Sequence, residues 1–349
     1  MYARFVLLPI RVRELMFNFG SMNASSYATR VIVGWILVAL LASCVQHVAL
    51  QRSNPPQSPL IESDSFIVDD GARLPYTVWR PILSPKRAII AVHGFSDYRR
   101  AFELPAPYWA DMGAIVYAYD QRGFGQAPSP GVWPGSERLV TDLTQIIALV
   151  RAEHPSLPLF LVGDSMGAAI VCLAAQNSAP GILAGVVLNA PAVWGAQSFN
   201  PVYRGVLWLA AKVAPSWEMT GRGVKITVTD NLPLLRVLSR DPYMLKTARV
   251  DALYGMVALM DEAQHAAPRL RVPTLLLYGE RDEVIPKNAV CAFASALPSS
   301  LTAFFYPDGY HLLLRDYGAP LVWSDAAAWF AGEVRSGPSW RQNCGNALT

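Results

Sequence analysis

Charged residues make up only 16% of this 349-residue sequence, and no stretch is rich in lysine and arginine. The 29 basic and 26 acidic side chains leave a formal net charge of +3, too small and too dispersed to point to a nucleic-acid partner. Cysteine is scarce as well. Cys44, Cys172, Cys291 and Cys344 form no C-x-x-C pair, and none stands at zinc-ligand spacing from a histidine, so no structural metal is expected. Cys172 and Cys291 read as two buried free thiols, with a bridge between them as the alternative. There is no internal repeat and no Gly-x-Gly-x-x-Gly phosphate loop. What is abundant is apolar surface, at 52% of residues. That is the composition of a globular chain able to bury one large core with an insertion.

The apolar run from Val31 to Ala42 follows Arg30. It is shorter than the roughly 18–20 residues that cross a bilayer, and suits the apolar segment of an export signal. The run closes on Leu41-Ala42-Ser43-Cys44, which resembles the lipobox of bacterial lipoproteins. The resemblance implies cleavage before Cys44, lipidation of its thiol and anchoring to a membrane surface by acyl chains. Val45, where Asp would signal retention, favours the outer over the inner membrane by the same resemblance. A signal anchor, or a plain secretory signal to the periplasm, is the alternative. Met22 is a more ordinary start for such a segment than Met1, leaving 1–21 as an over-extended start. Residues 1–43 thus read as signal, 44–59 as a polar, proline-containing linker, 60–336 as the folded domain and 337–349 as a disordered tail.

Within the domain, Ser65–Val68 and Tyr76–Trp79 flank the turn Asp69-Asp70-Gly71 and read as a hairpin. Continuous apolar runs follow at 87–92, 114–119, 159–162, 185–189, 274–278 and 301–306, separated by helix-like stretches. Such runs suit parallel strands covered on both faces. The expected fold class is α/β: a mostly parallel eight-stranded sheet with helices on both faces. After the sixth strand the alternation stops. Leu253, Met256, Val257 and Met260 make one apolar helical face, and Val202, Val206, Leu209 and Val213 another, so about 193–268 reads as an inserted helical cap.

Strand 159–162 runs into Gly163-Asp164-Ser165-Met166-Gly167 and then into a small-residue helix. This is G-x-S-x-G in strand–turn–helix context, with Ser165 as nucleophile. Gly163 and Gly167 stand where a side chain would strike neighbouring chain. A serine needs a base. Of five histidines, His47 adjoins the lipobox, His93 belongs to another motif, His154 ends a helix and His265 lies in the cap. His311, just after the last strand, is the candidate base. The acid that orients it falls between serine and histidine in chain order. Asp282, after the seventh strand, is the choice, with Glu280, Glu283 and Asp308 as rivals. The backbone N–H groups of Met166 and Phe95 are the expected oxyanion donors. Gly94 lets the backbone approach, and His93 is structural.

These motifs together, with Tyr119-Asp120-Gln121-Arg122-Gly123-Phe124-Gly125, resemble the monoacylglycerol lipase and lysophospholipase branch of the α/β hydrolases, the serine aminopeptidase-like hydrolases. The resemblance spans roughly residues 60–335 and places the cap after the sixth strand. One departure is Ala127, where the pattern usually has serine. The expected activity is that of a serine esterase, and its chemistry needs only the triad and water, so no cofactor is implied. An apolar, aromatic-rich cap and a lipid anchor point to a lipid-like or small ester as substrate, most specifically a monoacylglycerol or lysophospholipid. Trp194, Phe199, Tyr203 and Leu207 are the candidate acyl contacts. A short-chain carboxylesterase and a peptidase that removes N-terminal residues are the alternatives. The peptidase would need a cap carboxylate for the substrate amine, from Asp230, Asp241, Asp251, Asp261 or Glu262. A non-catalytic ligand-binding lipoprotein is the alternative of another class.

Overall fold

The computed structural model describes residues 57–345, apart from 196–199, 222, 224, 299–300 and 334–339. The N-terminal run read as an export signal, Cys44, most of the linker and Phe199 lie outside the described residues. Strands β1 (Leu60–Ile61), β2 (Ser65–Ile67) and β3 (Arg73–Trp79) pair antiparallel at one edge of the sheet. Then come β4 (Arg87–Val92), β5 (Ala114–Tyr119), β6 (Leu159–Asp164) and β7 (Gly185–Asn189). Past the insertion, which carries β8 (Glu218–Thr220) and β9 (Thr247–Arg249), lie β10 (Thr274–Gly279) and β11 (Leu301–Tyr306).

Nine strands form the main sheet among the described residues, in the order β1-β2-β3-β5-β4-β6-β7-β10-β11. The expected count was eight; β1 adds two residues at the edge, too few to leave an alternating pattern. β3 joins β5 antiparallel, and every pairing from β5 across to β11 is parallel.

The continuous apolar strands are explained by cover on both faces. Ala88, Ile90 and Val92 of β4 pack with helices α2 (Ser136–Glu153) and α3 (Met166–Gln176). The alternate residues Ile89 and Ala91 pack on the opposite side with α1 (Pro105–Asp111) and the late helix Ala319–Phe330. This period of two, with both faces apolar, leaves every residue of β4, β5, β6 and β7 buried. It is the arrangement that the continuous apolar runs predict.

The insertion between β7 and β10 carries α4 (Pro201–Val213), α5 (Leu232–Arg240) and α6 (Val250–Ala266). It is not wholly helical as expected, because β8 and β9 pair antiparallel within it. α6 belongs to the core as well as the cap: Leu259, Met260 and Ala263 are buried against the α3 side of the sheet. α4 and α5 bury no residue completely. No helix among the described residues is long and apolar enough to cross a membrane.

Two expectations about cysteine and the C-terminus are corrected. After α7 (Lys287–Ala296) and α8 (Ala319–Phe330), residues 340–344 form a short helix, α9 (Trp340–Cys344), instead of a disordered tail. Trp340 packs on the core and Cys344 is disulfide-bonded to Cys291, 53 residues earlier. Cys172 alone of the expected pair is a buried free thiol. Closing a loop of that length stabilises the fold by up to about 4 kcal/mol through the entropy of the unfolded chain.

Candidate active site

Register aligns the carboxyl ends of the central strands. Val92 lies opposite Gly163, and Asp164 opposite Asn189, so the loops after β4, β6 and β7 emerge together. Gly279 lies opposite Tyr306, which brings the loops after β10 and β11 to the same rim. Open parallel sheets place their ligands at this rim.

Ser165 is the residue between β6 and α3. Its φ of 52° and ψ of −112° put a side-chain-bearing residue in a sparsely allowed region. The turn is held by the bond from Ser165 N–H to Asn189 O (2.9 Å) and by the Ser165 carbonyl, which accepts from Ala168 and Ala192. Its tightness explains both flanking glycines. A Cβ on Gly163 would stand 2.4 Å from the Ala168 Cα, and one on Gly167 would stand 2.0 Å from the Val92 carbonyl oxygen.

His311, nearly buried, joins the three residues singled out in the sequence. Its Nε2 lies 3.0 Å from Ser165 Oγ and its Nδ1 lies 2.8 Å from Asp282 Oδ2. The Asp282 side chain is buried, and its other oxygen accepts the N–H groups of Val284 (2.7 Å) and Ile285 (2.9 Å). A proton on Nδ1 satisfies Asp282 and leaves the Nε2 lone pair facing the serine hydroxyl. Burial disfavours the imidazolium. The hydrogen bond and charge of Asp282, with the charge of Asp164, outweigh that burial and the opposing charge of Arg315, and hold His311 above its ordinary value of 6.5.

The rival acids are engaged elsewhere. Glu280 pairs with Lys287, Glu283 accepts the N–H of Thr227, and exposed Asp308 pairs with Arg281. The other described histidines are likewise used. His93 is fully buried, with Nδ1 on Gly94 O (2.8 Å) and Nε2 accepting Gln121 N–H (3.0 Å), which fixes the loop after β4. His154 meets the Tyr117 hydroxyl, and exposed His265 meets Asp261 O. Gly94 passes beside the nucleophile: a Cβ there would lie 3.3 Å from Ser165 Cβ. Phe95, the next residue, lines the same cavity as Ser165. Met166 opens α3, where helix N–H groups have no partner within the helix. Ala127 is buried in a turn closed by backbone bonds, including Ala127 N–H to Phe124 O and Gly123 N–H to Pro128 O, so the turn does not depend on a serine hydroxyl.

The cavity over Ser165 measures about 600 Å³ and is mainly apolar. Trp194, Leu235, Leu238, Met256, Met260, Val284 and Ile285 line it, with one buried ion pair, Asp97–Arg315. Of the candidate acyl contacts, Trp194 lines this cavity, whereas Tyr203 and Leu207 do not. They line a second hollow of about 930 Å³ between α4 and α6, which holds neither Ser165 nor His311. The amphipathic pattern of α4 shows which of its sides is apolar, not which neighbour that side meets. Leu235, Leu238, Val284 and Ile285 were not foreseen; only the apolar face of α6, with Met256 and Met260, left a periodic signal.

A family model described as serine aminopeptidase, S33, matches residues 83–318. The monoacylglycerol lipase of Mycolicibacterium smegmatis is 25% identical, over 77% of this chain and 97% of its own. The monoglyceride lipase of Homo sapiens is 28% identical, over 76% of this chain and 88% of its own. Among solved structures, a soluble variant of monoglyceride lipase from Saccharomyces cerevisiae, in complex with a substrate analog, shares the fold. Its TM-score is 0.67 at 18% identity, over 83% of this chain and 99% of that one.

Proposed function

Because the chain belongs to the serine aminopeptidase S33 family, we propose that it is a serine esterase whose substrates are lipid-like acyl esters, monoacylglycerols or lysophospholipids in particular. The observation that carries this reading is the hydrogen-bonded chain Ser165–His311–Asp282 at the base of an apolar cavity. His311 takes the serine proton as Ser165 Oγ attacks the ester carbonyl. Asp282 stabilises the imidazolium so formed. The oxyanion is held by the N–H groups of Met166 and Phe95. His311 then protonates the leaving alcohol, and water enters by the reverse roles to release the acid and restore Ser165.

The cavity lining favours an ester over a peptide with a free amino terminus. Of the cap carboxylates available to bind an amine, none lines the cavity of Ser165. Asp241 is bonded to Tyr98 and Arg100, Asp251 to Arg249, and Asp230 to the N–H of Tyr317. Asp97 does face the cavity, but it is neutralised by Arg315.

An acyl-chain series tests the reading. Each methylene moved from water into an apolar pocket is worth roughly 0.8 kcal/mol, about fourfold in affinity. On p-nitrophenyl esters, kcat/KM should therefore rise by at least about tenfold from four to eight carbons, and 1-monoacylglycerols should be hydrolysed. No gain beyond four carbons would return the reading to a short-chain carboxylesterase. Faster hydrolysis of amino-acid p-nitroanilides would replace it with a peptidase.

The pH profile follows from the environment of His311. The base works only when neutral, and its pKa is raised by Asp282 and Asp164 against burial and Arg315. The acid limb of kcat/KM should therefore have its midpoint above 6.5, and Asp282→Asn should lower that midpoint. An unchanged midpoint in Asp282→Asn would remove the acid from this role.

A further inference from the structure

Past β8, the returning chain of the cap at 225–231 is bonded to the loop that carries His311. The N–H of Leu312, directly after His311, donates to Val228 O (2.8 Å). The N–H of Tyr310, directly before it, donates to Asp316 Oδ2 (2.7 Å). The other oxygen of Asp316 accepts the hydroxyl of Thr229 (2.5 Å). Further along, Asn231 Nδ2 donates to Arg315 O (3.0 Å) and Tyr317 N–H to Asp230 Oδ1 (2.9 Å). The same segment reaches the acid loop, where Thr227 N–H donates to Glu283, the neighbour of Asp282 (2.8 Å).

Thr229 and Asp316 are both buried. A carboxylate out of water is tolerated only when its oxygens are bonded, and here each oxygen has one of these partners. The peptides on either side of His311 are therefore held by way of the cap: one directly, through Val228, the other through Asp316, which Thr229 fixes. Gly309, where the loop leaves the sheet, is tied to the acid loop through Arg281 N–H. Asn231 also caps α5 by accepting Leu234 N–H (3.2 Å), and α5 supplies Leu235 and Leu238 to the cavity. One stretch of backbone thus serves both the wall that meets the acyl group and the mounting of the base.

We propose that Thr229 and Asp316 are positioning residues for the reaction: they seat the His311 loop on the cap's returning chain, so that His311 meets Ser165 only while that chain is in place. Neither touches the reacting atoms, and the inference rests on His311 being the general base. A shift of about 1 Å at such a site costs about 100-fold in rate, so even partial release of the loop is measurable.

The test is Thr229→Val, a change of nearly equal volume that removes only the hydroxyl. kcat on p-nitrophenyl butyrate, counted per active site titrated with a fluorophosphonate, should fall about tenfold or more, with KM within about twofold. Thr229→Ser should restore kcat to within about twofold of the parent. Asp316→Asn should show the same kcat-selective loss, and the Thr229→Val/Asp316→Asn double variant should add little to it, as members of one network do. Should Asp316→Asn fail to fold, the Thr229→Val against Thr229→Ser comparison decides alone. A parental kcat per titrated site in Thr229→Val, or equal losses in Val and Ser, would overturn the proposal. His311→Ala separates it from the reading beneath it. If His311→Ala is inactive while Thr229→Val is unimpaired, only the positioning role falls; if His311→Ala turns over normally, the base assignment falls with it.

Discussion

Ser165→Ala should lower kcat on a p-nitrophenyl ester by at least about 10⁴-fold while the protein folds as before. The size of the loss follows from the geometry. Ser165 Oγ is the atom placed 3.0 Å from His311 Nε2, and the strained backbone at φ 52° holds it at the rim of the sheet. No other hydroxyl is bonded to that imidazole nitrogen among the described residues. Alanine relieves no clash and removes only the terminal hydrogen bond of the Ser165–His311–Asp282 chain, so thermal unfolding should move by no more than about 1 kcal/mol in equivalent stability. Whatever catalysis survives is what the oxyanion donors and the cavity supply by binding alone. Turnover within about tenfold of the parent would remove Ser165 from the mechanism.

Gly167→Ala should be the most damaging single methyl in the molecule's centre. The added Cβ would lie 2.0 Å from Val92 O, 2.6 Å from Val92 C and 2.7 Å from His93 O. All three are backbone atoms, of β4 and of the loop that leads to Phe95, so no side chain can swing aside. Relief requires α3 to move off β4, in a core with no slack. Overpacking of this kind costs about 3 kcal/mol or more, a large share of the roughly 5–15 kcal/mol that holds a domain together. The same displacement would move the N–H groups of Met166 and Phe95, the proposed oxyanion donors. Equilibrium unfolding in urea should show the loss, together with activity reduced by orders of magnitude. Gly205→Ala is the matching control: it lies on α4, where a Cβ meets nothing within 4 Å, and helix propensity alone predicts a gain of roughly 0.5–1 kcal/mol. Equal effects at the two positions would refute the steric account of the elbow.

The parts of the site written in local chemistry were legible. Gly163 to Gly167 mark a turn whose demands are met within five residues. His311 could be chosen by elimination because histidine is rare and its competitors stand elsewhere in the chain. The central strands were legible because a strand covered on both faces must be apolar throughout. Their ends fell within two residues of the runs read from sequence for β4, β5, β6, β7, β10 and β11. The parts that depend on distant partners were not legible. Cys291 and Cys344 stand 53 residues apart, and no local pattern pairs them; they meet where the chain end, with Trp340, packs against the core. Thr229 and Asp316 are separated by 87 residues and resemble any other threonine and aspartate. The place of Tyr203 and Leu207 in the other hollow was not legible either, because an apolar stripe on α4 does not say which hollow it lines, and that choice belongs to the packing of α4 against α6.

The central claim is that Ser165 carries the acyl group between two half-reactions. Acid quenching during turnover of a slowly deacylated p-nitrophenyl ester, followed by peptide mass analysis, tests it directly. The peptide containing Ser165 should gain the mass of one acyl group, and His311→Ala should abolish that gain. Rapid ester turnover with no acylated peptide, or with the acyl group on another residue, would contradict the account.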